Sequence, residues 1–156
     1  MSKPIRVVYD CMILLQAASR PDRVHGTMKA LDEGRIALCS SLDTLEELRD
    51  VLNRPELRAK FPLLTSDVAS AFIGSVVAKS LIFNDVPRSF ALNRDPKDEP
   101  YINLAIKAEA RFLVTWNERH MTYLMRRDTP EGIDFCNRFP SLAILNPVDF
   151  LQAVRS

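Results

Sequence analysis

Four oxygen-bearing side chains stand at positions of the chain where a reactive site is expected. Asp10 directly follows the β-branched run 5–9, and Asn117 lies in a polar turn after the apolar run 112–115. Ligands of open α/β sheets bind outside the carboxyl ends of the strands, where both residues are predicted to lie. A carboxylate placed directly after a buried strand has few structural duties. Two further acids, Glu47 and Asp98, lie on predicted helices and can converge on the same place.

Carboxylates that converge within a few ångströms repel one another and raise each other's pKa unless a cation lies between them. Hard oxygen ligands of this kind suit Mg²⁺ or Mn²⁺ better than zinc. Such an ion lowers the pKa of a bound water and neutralises charge on phosphoryl oxygens. The residues therefore favour metal-dependent phosphodiester hydrolysis.

Short apolar runs separated by helical patterns must position these side chains. Strands are predicted at 5–9, 36–39, 81–83, 112–115 and 142–145. Helices are predicted at 27–33 before Gly34, from Ser40 or Ser41 to about Leu52, from Pro55, from Ser66, at 97–110, and after Asn146-Pro147. This alternation predicts a three-layer α/β/α sandwich with a central parallel sheet.

The helical placement of the two remaining acids depends on local signals. Asp95-Pro96 is interpreted as an N-cap followed by proline at the first helical position, so Asp98 and Glu99 fall in the first turn of the helix 97–110. Glu47 lies on an amphipathic helix, and Glu46 is the alternative if the helical register differs by one residue.

Length and composition limit the possible functions. The 156 residues favour one domain spanning 1–156. A net charge of +1 provides no global basic field, so attraction to a polyanion has to come from a local patch. The 4 glycines form no phosphate-binding loop, and the 3 cysteines fit a reducing compartment. The longest charge-free stretch, 68–78, is too short to cross a membrane, so a cytoplasmic location is expected.

Four separated motifs resemble those of the PIN-domain family. They are VVYD ending at Asp10, LEEL containing Glu47, RDPKDEPYINLA with Asp95 and Asp98, and FLVTWN ending at Asn117. Their order and spacing are similar in particular to the subgroup described as toxin components of bacterial toxin-antitoxin modules.

The resemblance implies a parallel sheet between helices, a pocket that holds Mg²⁺ or Mn²⁺, and cleavage of single-stranded RNA. Asp10, Glu47 and Asp98 match the family's metal-binding catalytic acids, with Asp95 and Asn117 in supporting positions. A toxin role further implies a cognate antitoxin protein and a homodimer.

Two positions depart from the family pattern. Met12 stands where a polar residue is usual, and Asn117 stands where a fourth acid is usual, so the pocket is less anionic. Asp95 or Glu99 is available to compensate. The departures leave open a second function, a weak or inactive PIN fold that binds RNA or protein. A phosphoryl-transfer domain with Asp10 as nucleophile would need an acid at Met12.

Basic and aromatic residues near these motifs have two interpretations each. The basic residues either line a route for an RNA backbone or form a solvated surface; they are Arg49, Arg54, Arg58, Lys60, Arg119, Arg126 and Arg127. Trp116 and Tyr123 either stack on bases or serve packing. His120 contacts either a phosphate or a neighbouring side chain.

Overall fold

The fold is built on one sheet of parallel strands. The computed structural model describes residues 3–155. Within them, five strands pair in the order β3-β2-β1-β4-β5, and every pairing is parallel. The strands are β1 (Ile5–Tyr9), β2 (Ile36–Ser41), β3 (Ser80–Phe83), β4 (Phe112–Val114) and β5 (Ala143–Leu145). The predicted central parallel sheet is confirmed.

Strand β1 is the centre of the sheet and the point at which the strand order reverses. It pairs with β2 on one side, with Ile5 opposite Ile36, and with β4 on the other, with Tyr9 opposite Val114. The chain runs from β1 to β2 and β3 on one side and then crosses from β3 to β4 on the other side of β1, which opens a crevice at the carboxyl ends of β1 and β4.

Eight α-helices and one 3₁₀ helix cover the sheet within the described residues. They are α1 (Cys11–Ser19), α2 (Gly26–Asp32), α3 (Leu42–Leu52), α4 (Pro55–Lys60), α5 (Ser66–Lys79), α6 (Glu99–Lys107), the 3₁₀ helix (Thr122–Met125), α7 (Pro130–Arg138) and α8 (Pro147–Ala153). Helices α2 and α8 pack on each other and on the sheet, and α3 and α6 form another packed pair on it. This is the predicted three-layer α/β/α architecture.

The central strands are completely buried, as expected for a parallel sheet covered on both faces. Val7, Val8, Leu113 and Val114 have no exposed surface. Side chains alternate between the two faces. Tyr9 donates its hydroxyl to the Thr27 carbonyl of α2 at 2.8 Å, so the following position, Asp10, is turned away from that layer.

Several predicted helix ends are confirmed by the caps that the structure contains. Ser41 caps α3 in a reciprocal capping box with Thr44, Pro55 begins α4, and Asn146 caps α8 before Pro147. Gly34 adopts a φ of 72° just after α2, a conformation that glycine reaches without steric cost.

The prediction that Asp95 caps a helix covering 97–110 is wrong. Helix α6 begins at Glu99 with Asp98 as its N-cap, and residues 95–98 form turns. A helix starting at 97 would place Pro100 at its fourth position. There proline lacks the N–H that bonds to the carbonyl four residues earlier, and its ring clashes with that carbonyl. Pro100 instead lies in the first turn of α6. The helix ends early, at Lys107, because Glu109 adopts a φ of 53°.

Three helices were not expected from the sequence pattern: α1, α7 and the 3₁₀ helix. In α1 nearly every side chain is buried, so its apolar residues do not form a one-sided stripe. In α7 few residues are buried, although Thr129-Pro130 is a cap followed by proline.

The three cysteines carry free thiols. No helix among the described residues is long and apolar enough to span a membrane.

Candidate functional site

The candidate site lies in the crevice where β1 and β4 end. The Asp10 backbone N–H donates to the Val114 carbonyl at 3.1 Å. The Thr115 hydroxyl donates to the Asp10 carboxylate, and the Asn117 backbone N–H donates to the Thr115 hydroxyl oxygen at 3.0 Å. Thr115 has no exposed surface. The strand register therefore joins the segments that carry Asp10 and Asn117.

Asp10 has a structural duty that the sequence did not indicate. Its carboxylate caps α1 by accepting from the Ile13 N–H at 3.2 Å, while the side chain is 4% exposed. Burial raises the pKa of Asp10 to about 6, and the hydrogen bond from Thr115 opposes that rise. The charge of Asp98 adds to the rise, which places the two carboxyls in one electrostatic environment.

Asn117 connects the acids on the α6 side of the crevice. Its side-chain nitrogen Nδ2 lies 2.6 Å from Asp98 Oδ2 and 3.4 Å from Asp95 Oδ2. Its oxygen Oδ1 accepts from the His120 backbone N–H at 3.0 Å. The backbone donor thus fixes which end of the amide faces the carboxylates. Asn117 thereby donates hydrogen bonds to the Asp98 and Asp95 carboxylates.

Asp95 and Asp98 differ electrostatically although they are neighbours. Burial, followed by the charges of Asp95 and Glu47, raises the pKa of Asp98, and the Asn117 hydrogen bond acts against this. For Asp95, burial acts upward as the largest single cause, but the hydrogen bonds with His120, 3.2 Å away, and with Asp98 together with the charge of His120 outweigh it, so the pKa of Asp95 is lowered. His120 is thus a local partner of Asp95.

Glu47 faces the crevice, whereas Glu46 is exposed to solvent. Glu47 Oε1 accepts from the Tyr101 hydroxyl at 3.0 Å, and Tyr101 is almost completely buried on α6. Burial, followed by the charges of Glu47 and Asp10, raises the pKa of the Cys11 thiol to about 12. The structure therefore places Glu47 near Asp10 and Asp98, in the register that the sequence favoured.

The acids are neighbours but do not form a closed cage. Among residues 3–155, no group of three or more His, Cys, Asp or Glu side chains is arranged to hold a metal ion. In the same range no lysine or arginine pairs with Asp10, Glu47 or Asp98. The groups available as metal ligands are the carboxylate oxygens of Asp10, Glu47 and Asp98. Oxygen ligands without a cationic partner are of the chemical type that fits Mg²⁺ or Mn²⁺.

Glu99 takes no part in this arrangement. Its carboxylate accepts two bonds from the Arg88 guanidinium, at 2.8 and 3.0 Å, and one from the Leu92 N–H. Of the two acids that the sequence offers as compensation for Asn117, Asp95 contacts the Asn117 amide, whereas Glu99 pairs with Arg88. Glu99 is already engaged in fixing the loop before α6.

Three of the basic residues that the sequence offers as RNA contacts bond to groups a few residues away in the chain. Arg54 pairs with Asp50 at 2.9 Å, Arg126 pairs with Asp128 at 2.7 Å, and Arg58 donates to the Leu52 carbonyl at 3.0 Å. Trp116 is 45% exposed beside the crevice, and its indole nitrogen donates to Gln16 at 2.9 Å. Arg94 lies over the Tyr123 ring, 4.5 Å from its centroid.

The sequence interpretation did not identify two residues of this network, Thr115 and Tyr101. Thr115 could have been found from strand pairing, because it follows β4 as Asp10 follows β1. Tyr101 lies three residues after Asp98, a spacing that places two side chains on one helical face.

Comparison with known proteins adds one match. A family model described as PIN domain matches residues 6–119, which include every acid of the candidate site. Neither the curated proteins nor the solved structures yielded a match to this chain.

Proposed function

The chain belongs to the PIN-domain family, a nuclease-type fold, and from this premise we propose that it is a divalent-metal-dependent endoribonuclease. The substrate we propose is single-stranded RNA, and the reaction is hydrolysis of a phosphodiester bond. The active site would be the crevice at the ends of β1 and β4, the position where open α/β sheets bind ligands.

One observation carries this proposal: the buried Asp10 carboxylate lies near Asp98, and no cationic side chain among residues 3–155 pairs with either of them. Burying a carboxylate is costly unless it is paired. The hydrogen bonds from Ile13 and Thr115 do not cancel this cost, because the pKa of Asp10 remains raised, to about 6. A divalent cation at this position would remove the cost.

The proposed roles follow from the contacts of each residue. Asp10 and Asp98 would hold Mg²⁺ or Mn²⁺, with Glu47 as the third acid. Thr115 fixes the Asp10 carboxylate and Asn117 fixes the Asp98 carboxylate, while Asp95 supports the Asn117 amide by accepting from the same nitrogen. The bound ion would supply an activated water and neutralise charge on the phosphate.

Cleavage of RNA by purified variants tests this function. Single-stranded RNA is incubated with Mn²⁺ and the wild-type protein, Asp10→Asn or Asp98→Asn. Asp67→Asn is the matched control, since Asp67 is an exposed acid on α5. We expect cleavage by the wild type and the control only. Equal cleavage by wild type and Asp10→Asn would reject the site.

A second candidate function is RNA or protein binding without cleavage. It is favoured by the lack of a three-residue metal cluster among the described residues and by the amide at Asn117. Calorimetric titration with Mn²⁺ separates the two functions. Metal binding that Asp98→Asn abolishes supports the nuclease, whereas RNA binding without metal binding supports the second candidate.

We further propose that the protein is the toxin of a toxin-antitoxin module, acts as a homodimer and has a cognate antitoxin protein. This rests on the sequence motifs that resemble that subgroup. Induced expression is expected to arrest growth, and Asp10→Asn to abolish the arrest. Co-expression of a small neighbouring reading frame is expected to restore growth, and light scattering of the purified chain to give twice the monomer mass.

A further inference from the structure

A cleft of about 510 Å³ lies between α1 and α4, beside the candidate site. Its volume is in the range of small-molecule binding sites. One wall comes from α1 and includes Met12 and Gln16, and the other includes Leu57, Lys60 and Phe61. The cleft therefore combines apolar side chains with polar and cationic ones.

The cleft is connected to the crevice through α1 and through one hydrogen bond. Met12 is exposed and lies two residues after Asp10, about 3 Å along the helix axis. Gln16 lines the cleft and accepts from the indole of Trp116, which follows Thr115 in the chain. The Gln16–Trp116 hydrogen bond thus connects the cleft with the segment that contacts Asp10, so an RNA strand bound at Asp10 and running past Trp116 would reach the cleft.

The charge of the cleft fits a polyanion. None of the side chains described along it is acidic, while Arg20, Arg23 and Lys60 are cationic. Arg20 pairs with Asp22 at 3.1 Å. Arg23 and Lys60 form no ion pair with a carboxylate within residues 3–155. These two cations remain available for phosphate groups.

A buried hydroxyl supplies an independent sign of a ligand. Ser19 is 2% exposed and lines the cleft, and its Oγ has no hydrogen-bond partner among the residues that the structure describes. A buried hydroxyl without a partner is costly, so such groups are normally satisfied by protein, water or ligand.

We propose that the α1–α4 cleft is a nucleotide subsite, in which a base of single-stranded RNA packs against Met12, Leu57 and Phe61. Lys60 contacts the adjoining phosphate, and Gln16 and Ser19 are placed to hydrogen-bond polar atoms of the nucleotide. The proposal rests on the proposed function and extends it, since it names the element that selects the RNA next to the cleaved bond. Met12, a departure from the family pattern, gains a role in this subsite.

Binding without metal tests the subsite separately from cleavage. The full chain, labelled with ¹⁵N, is titrated in EDTA with a single-stranded RNA hexanucleotide and with the same oligomer lacking its bases. Changes in the backbone amide chemical shifts locate the ligand. The fluorescence of Trp116, which is the single tryptophan of the sequence, gives the affinity. We expect amide shifts along α1 and α4. The abasic oligomer should bind about tenfold more weakly because it cannot pack in the cleft.

Two variants separate base packing from phosphate contact. Met12→Ala should weaken binding of the intact oligomer severalfold and leave the abasic oligomer unaffected. Lys60→Ala should weaken both. Lys107→Ala is the matched control, since Lys107 is an exposed cation at the far end of α6 from Asp98, and it should change neither affinity.

Three results would overturn the subsite. The first is equal affinity for the two oligomers, and the second is amide shifts confined to residues outside α1 and α4. The third is amide shifts along the cleft on addition of an acidic amphipathic peptide but not on addition of RNA. The last result would assign the cleft to a protein partner. Cleavage in Mn²⁺ without these shifts would leave the nuclease in place and reject the subsite. Base-dependent shifts without cleavage would support the subsite and reject the nuclease.

Discussion

The Thr115 hydroxyl donates a hydrogen bond to the Asp10 carboxylate, across the boundary between the two central strands. The same oxygen accepts from the Asn117 backbone N–H at 3.0 Å. One buried hydroxyl thus orients the first acid of the candidate site and anchors the turn that carries the amide.

Replacing this hydroxyl is expected to affect stability and cleavage together. Thr115→Val keeps the shape of the side chain but leaves the Asp10 carboxylate and the Asn117 N–H each without one partner. The free energy of unfolding should fall by about 1 to 3 kcal/mol. Urea denaturation measures the loss, and the RNA cleavage rate should fall as well.

Thr27→Val is the control for this substitution. Thr27 is also buried, and its side chain forms no hydrogen bond with the residues that the structure describes. If Thr115→Val and Thr27→Val prove equally stable and Thr115→Val cleaves RNA at the wild-type rate, the hydroxyl has no positioning role.

The raised pKa of Asp10 predicts a specific dependence of stability on pH. The pKa of Asp10 in the folded protein is about 6, against 3.8 in the unfolded chain. The folded state therefore binds the proton more tightly, and this stabilisation is present below about pH 4 and lost as the pH rises through 6. The difference of about 2 between the folded and unfolded pKa corresponds to about 2 to 3 kcal/mol in the free energy of unfolding.

Asp10→Asn isolates this effect because asparagine also caps helices and carries no charge. In EDTA, the variant should become more stable than the wild type as the pH rises from 4 to 7, by about 2 kcal/mol at neutral pH. Urea denaturation at a series of pH values measures the difference. A difference that stays constant across this range would contradict the buried, unpaired state of Asp10.

Asn117→Asp is expected to exchange stability for metal affinity. The substitution removes the donor to Asp98, 2.6 Å away, and adds a negative charge beside Asp95. Without metal the variant should lose about 1 to 3 kcal/mol of stability. Because an additional carboxylate strengthens binding of hard cations, Mn²⁺ should bind about tenfold more tightly in calorimetry.

The surface residue Asn53 supplies the control for this variant, since it is exposed on the C-terminal side of α3. Asn53→Asp should leave Mn²⁺ affinity unchanged. Unchanged affinity in Asn117→Asp would show that position 117 lies outside the metal site.

Glu46 and Glu47 provide a matched pair on one helix. Glu47 accepts from the Tyr101 hydroxyl and its charge acts on Asp98, whereas Glu46 is exposed. Glu47→Gln should reduce RNA cleavage about a hundredfold or more, comparable to the loss when one group that stabilises a transition state electrostatically, such as an oxyanion-hole donor, is removed. Glu46→Gln should cleave at the wild-type rate, and the reverse pattern would assign the catalytic role to Glu46.

Local signals were sufficient for the sheet and for the starts of helices α3, α4, α5 and α8. Strands β1, β2 and β4 are mostly apolar because both faces of the sheet are covered, and caps such as Ser41 and Asn146 mark where helices begin. Helix α6 was misplaced because two proline signals lie four residues apart. Pro100, not Pro96, occupies the first turn, and either start agrees with the apolar spacing.

The acids were easier to predict than the groups that hold them. Asp10, Glu47 and Asp98 stand out by residue type and by the resemblance to one family. Thr115, Tyr101 and the Asn117 amide act through contacts between segments distant in sequence, and those contacts depend on strand register and helix packing. Asp95 was correctly placed near Asp98, but its partners are the His120 ring and the Asn117 amide and not a helix end.

The pairing of β1 with β4 joins segments about a hundred residues apart, since Asp10 and Thr115 are separated by 105 positions. Contacts of such sequence separation form slowly, because the entropy cost of closing the long intervening loop is paid before the contact stabilises the fold. A chain still being synthesised carries Asp10 and Glu47 long before Thr115 emerges to fix the first carboxylate. Assembly of the site is therefore coupled to the pairing of β1 with β4, and a protein able to cut RNA would remain inactive until the residues through Thr115 have left the ribosome.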